Sequence, residues 1–135
     1  MIKDIKPPKV EGIALTVIRE FNELGAEEWN VYIINMKPEK IEGVLVSSKG
    51  YGQNVKGEEL TTSTLRHFIG DVAPNSYAKI EPIMEEVFGL HNEYWVSFFI
   101  DGVMYDKKYI FLAETINENN FTKVPVIDKK GVLIK

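Results

Sequence analysis

Hydrophobic positions along this chain mostly alternate, and few recur at helical spacing. In residues 12–21 (GIALTVIREF), Ile13, Leu15, Val17 and Phe21 share one face, as a half-buried strand requires. Residues 29–36 (WNVYIINM) place Trp29, Val31 and Ile33 on one face and Tyr32, Ile34 and Met36 on the other, which predicts a central strand. Further strands are predicted at residues 41–48, 60–69, 76–83, 94–100 and 103–113. The stretch LTTSTLRHFI at 60–69 reads as an edge strand. Pro82 puts the next strand at an edge, or marks its end.

Turn signals separate these stretches. Residues 22–28 (NELGAEE) predict a hairpin connection, Pro38 a turn, and Asp101-Gly102 a two-residue hairpin. Residues 49–59 (KGYGQNVKGEE), with Gly50, Gly52 and Gly57, read as a mobile loop. Residues 84–93 (MEEVFGLHNE) fit either one helical turn ending at Gly89 or a loop. About seven short strands so spaced predict an all-β fold, an immunoglobulin-like antiparallel β-sandwich, with a small β-barrel as the alternative. One domain over residues 1–135 is expected, as an arm at 1–9, a core at 10–114 and a C-terminal segment at 115–135. That segment is expected to dock on the core through Val124, Val126, Ile127, Val132, Leu133 and Ile134.

The stretches WNVYIIN, IEGVLVSS, NSYAKIEPI and EYWVSFFIDG resemble the middle strands of immunoglobulin-like domains, without the cysteine pair of antibody domains. KGYG, LRHF, IEPIMEEVF, NEYWVS and YDKK resemble a short uncharacterised bacterial protein family, a resemblance that implies no activity. A chain of 135 residues is too short for an aminoacyl-tRNA synthetase core, and it has no ATP-handling motif.

The absence of cysteine removes disulfides, thiolate metal sites and a cysteine nucleophile. Residues 1–9 (MIKDIKPPK) do not read as a signal peptide, and no apolar run is long enough to cross a bilayer, so the cytoplasm is the expected compartment. Net charge is −4 but uneven. Residues 1–9 and 123–135 carry seven lysines against Asp4 and Asp128, a net of +5. The other nine basic and eighteen acidic residues leave the body at −9. An acidic body predicts no nucleic-acid partner, because that binding needs a basic face.

Candidate chemistry is sparse, and no cofactor or metal is expected. The glycine-rich stretch lacks the Lys-Ser/Thr and following helix of a phosphate loop. Ser63 or Thr64 with His67 and Asp71 suggests a nucleophile, base and orienter, and Arg66 adds a cation. A strand, however, holds Ser63 and His67 about 13 Å apart, at roughly 3.3 Å per residue. His91 near Glu81, Glu85, Glu86 and Glu93 has no spacing typical of metal ligands. Asn120-Phe121-Thr122 matches a glycosylation sequon with no export signal to accompany it.

The aromatic residues of the 94–113 hairpin carry the strongest signal. Trp95 and Phe99 lie opposite Tyr94, Val96, Phe98 and Ile100, while Tyr105 and Tyr109 share a face of the next strand. Two apolar faces require a cover beyond the sandwich partner: the C-terminal segment, a second copy, or another protein. The expected function is a non-catalytic interaction module binding a protein partner or itself, with Trp95, Phe99, Tyr105, Tyr109 and Tyr51 as candidate surface residues. Sugar or small-ligand binding is the second expectation, and a small enzyme using Arg66, His67 and Asp71 the third.

Overall fold

The structure, a computed structural model, describes residues 8–135. β1 (Ile13–Phe21) and β2 (Glu27–Asn35) pair antiparallel from Ile13↔Asn35 to Phe21↔Glu27. Asn22 fixes their turn: its Oδ1 accepts the backbone N–H groups of Leu24 and Ala26 at 2.9 Å, while Gly25 takes φ 78°. Asn54, with Gly57 at φ 79°, repeats this device between β3 (Ile41–Gln53) and β4 (Glu59–Thr61). In both loops the asparagine side chain satisfies turn N–H groups and the glycine supplies the left-handed backbone.

The chain continues through β5 (Leu65–Val72), β6 (Ser76–Pro82), β7 (His91–Ile100), β8 (Val103–Phe111), β9 (Thr122–Lys123) and β10 (Lys130–Ile134). One sheet has the order β6-β2-β1-β10-β9. The other runs β8-β7-β3, with β5 and β4 sharing the far edge of β3. Every pairing is antiparallel, and neither sheet closes on itself, so the fold is a β-sandwich and not a barrel.

Two local expectations are corrected, and a third, left open between two readings, takes its helical form. β3 runs on through Lys49–Gln53, so about half of the supposed mobile loop is strand. Gly50 is there for close packing: a Cβ would meet Thr62 Cγ2 at 3.2 Å and Leu90 Cδ1 at 3.4 Å. The strand predicted at 60–69 is broken into β4 and β5 around Thr62, whose Oγ1 accepts the Gly50 N–H at 2.7 Å. The ambiguous 84–93 stretch becomes a 3-10 turn at Glu85–Val87 followed directly by β7. With β9 and β10 added from the tail, the described residues form ten strands, against about seven expected.

Between the sheets, Leu15, Val17, Val31 and Ile33 meet Val44, Val46, Tyr94, Val96, Phe98 and Phe111. A second, smaller cluster lies on the outer face of the first sheet, where Val124 and Ile127 cover Ala14, Ile18 and Ile34. Burying those two tail side chains contributes roughly 1.5–3 kcal/mol each. β10 pairs with β1, and Thr16 Oγ1 donates to Val132 O at 2.9 Å. The arm expected at residues 1–9 lies outside the described residues up to residue 7, and Val10 already packs in the core.

Candidate functional site

The C-terminal segment closes the outer face of the first sheet and leaves the outer face of the second open. Of the three covers expected for the 94–113 hairpin, the C-terminal segment is therefore not the one used. The open face is built from alternate residues of four strands. Leu45 pairs with Phe68 on one side and Ser97 on the other; Ser47 pairs with Arg66 and Trp95. Across the β7–β8 hairpin, Trp95 pairs with Lys108 and Phe99 with Met104. Trp95 is 42% and Phe99 41% exposed, and Leu45, Phe68 and Met104 are more so.

Charges surround these side chains in balance. Lys49, Arg66 and Lys108 are matched on the same face by Glu42, Glu93 and Asp106. Glu93 bridges Lys49 at 3.8 Å and Lys108 at 3.6 Å. Lys108 Nζ also lies 5.2 Å from the centre of the Trp95 ring, a cation–π contact.

Of the expected surface residues, Trp95 and Phe99 point outward, while Tyr105 and Tyr109 do not. Tyr105 stacks on Phe98 with ring centres 5.4 Å apart. Tyr109 is 2% exposed and donates to Ile13 O at 2.7 Å, and burial raises its phenol pKa. Parity explains the correction. With two residues in the turn, Ile100 opposes Val103, so Trp95 opposes Lys108 and Tyr94 opposes Tyr109. An outward Trp95 therefore requires inward Tyr105 and Tyr109. Tyr51 is half-buried near the end of β3, 5.5 Å from the His91 ring. Leu45, Phe68 and Met104 were missed as members of this face, although the same hairpin register assigns Met104 to it.

The residues weighed for catalysis are not brought together. Arg66 faces outward, and His67 points to the inter-sheet side, where its Nε2 donates to Glu81 Oε1 at 2.8 Å. Asp71 instead accepts the Gly43 N–H at 3.1 Å and pairs with Lys40 at 3.6 Å. Ser63 and Thr64 are exposed. His91 Nδ1 accepts the Ala113 N–H at 3.0 Å, and the described residues contain no group of three His, Asp or Glu side chains placed to hold a metal ion.

Glu81, weighed from the sequence only as a neighbour of His91, instead reaches from β6 to three strands of the opposite sheet. Its carboxylate accepts Ser48 Oγ at 2.7 Å, His67 Nε2 at 2.8 Å and Tyr94 OH at 3.3 Å. Burial, reinforced by the carboxylate, raises the Tyr94 pKa. Ser48 donates its hydrogen bond to Glu81 and makes none to His67, so the cluster ties the sheets together without a serine–histidine nucleophile pair. No described helix is long and apolar enough to cross a membrane. Comparison with protein-family models, curated proteins and solved structures finds no match to this chain.

Proposed function

We propose that this chain is a non-catalytic interaction module that associates with a second copy of itself through the outer face of the second sheet. One observation carries the reading: of the two outer faces, the chain covers one with its own tail and leaves Leu45, Phe68, Trp95, Phe99 and Met104 open on the other. A contiguous exposed apolar face of this kind marks an association surface. The charge pattern favours a like partner. The chain is acidic overall, yet this face carries three charges of each sign, so two copies meet there with the least repulsion. A sugar stacked on Trp95 would have to displace Lys108.

The strand order supports an immunoglobulin-type frame. β1-β2-β6 stand as A-B-E, and β5-β3-β7-β8 as C′-C-F-G. Such a frame holds the open face rigid.

Light scattering behind size-exclusion chromatography, across a wide concentration range, tests the reading. The wild type is expected to dimerise. Phe68→Asp and Trp95→Ala are expected to remain monomeric with unchanged circular dichroism, since both side chains are exposed at this face. A wild-type monomer at every concentration, or a dimer that survives both substitutions, overturns self-association. In the first case another protein becomes the occupant to seek.

A further inference from the structure

A cleft of about 240 Å³ opens at the side of the sandwich, between the β3–β5 edge of one sheet and the end of β6 in the other. Two hydroxyls on its wall, Ser48 and Tyr94, already donate to Glu81. Glu81 lies on its wall, and among the described residues no lysine or arginine comes within ion-pair distance of that carboxylate. Asn92 lines the same cleft and is only 6% exposed. Its Nδ2 is committed to Val87 O at 3.0 Å and Leu90 O at 3.1 Å, which fixes the amide orientation. Its Oδ1 then accepts no hydrogen bond from any described residue. This acceptor stays open to the cleft and free for a ligand's donor.

The remaining walls are apolar, from Leu65, Ile83, Met84 and Val87. Lys49 also borders the cleft, but its ammonium is engaged with Glu93 on the outer face. Residues 82–84 are shared with a second depression of about 400 Å³, lined by Glu27, Glu28, Glu85 and Glu86. Approach to the cleft is therefore through a field that attracts cations.

We propose that this cleft binds an alkylammonium group. The charged head donates to Glu81 and to Asn92 Oδ1, and a short methylene chain lies along Leu65, Ile83 and Met84. An ammonium adds a charged donor to these two acceptors, and its stem matches the apolar walls. The inference does not depend on self-association, because the cleft and the open sheet face are separate surfaces. A free amine and a lysine side chain share this chemistry.

Titration calorimetry and thermal melts at low salt, with 1,4-diaminobutane as the probe, test it. The diamine is expected to bind saturably and raise the melting temperature with concentration, while n-butanol and butyrate do neither. Added salt should weaken the binding. Glu81→Gln is expected to weaken it at least tenfold. Because Glu81 also ties the sheets together, Ser63→Lys serves as the second variant. Ser63 is exposed at the rim, and a lysine there places a tethered ammonium in the cleft, again with a loss of tenfold or more. Nα-acetyl-lysine methylamide binding alongside the diamine assigns the site to a lysine side chain; binding of the diamine alone assigns it to a free amine. Equal binding of butanol or butyrate, undiminished diamine binding in Ser63→Lys, or no saturable binding up to about 20 mM overturns the proposal.

Discussion

At Glu20 one carboxylate holds Lys129 Nζ at 2.6 Å, Asn30 Nδ2 at 2.9 Å and the hydroxyl of Tyr32. Partial burial alone would raise its pKa, but the three hydrogen bonds and the Lys129 charge outweigh that and lower it below 4.5. A lowered pKa contributes stability that is present above the unfolded value and lost as pH falls through the folded one. Wild type should therefore melt above Glu20→Gln at neutral pH, and thermal melts from pH 7 to pH 3 should show that gap closing below about pH 4.5. Gly131 is a second point of control. A Cβ there would stand 2.5 Å from Val17 O and 2.9 Å from Thr16 Oγ1. Urea denaturation of Gly131→Ala is expected to show a loss of roughly 1–3 kcal/mol, with faster proteolysis of the tail. The sequence gives no local sign of this constraint, since the atoms that crowd Gly131 belong to β1, more than a hundred residues earlier in the chain. The inward turn of Tyr109, by contrast, was legible from the Asp101-Gly102 hairpin.

At the scale of elements, local chemistry was the most readable part. The Asn-x-x-Gly loops at 22–25 and 54–57 make the same turn, yet the second was read as part of a mobile segment because three glycines cluster there. Only Gly57 serves the turn; Gly50 is there to let β3 pack against Leu90 and Thr62. β10 was visible only as apolar residues that dock, and β9, Thr122–Lys123, carried no signal. Pro125 breaks the first run, and nothing local says which strand edge the second run joins. Their contribution can be measured by removal. Deleting residues 122–135 uncovers Ala14, Ile18 and Ile34, so the truncated chain is expected to bind a hydrophobic dye and scatter light at concentrations where the whole chain does not.

Over the whole molecule, the pattern showed that two strands, residues 29–36 and 94–100, have apolar residues on both faces. Each therefore needed a cover outside the sandwich. Periodicity counts such faces but does not assign the covers, because that choice depends on which sheet edge the tail reaches. The tail goes to β1, and its consequence is one of timing. The hydroxyl of Thr16 waits for a carbonyl 116 residues later in the chain. At ribosomal elongation rates that wait is on the order of ten seconds. Throughout it, the first strand made lacks both its edge partner and the cover on its outer side, so this sheet is completed last although it is begun first.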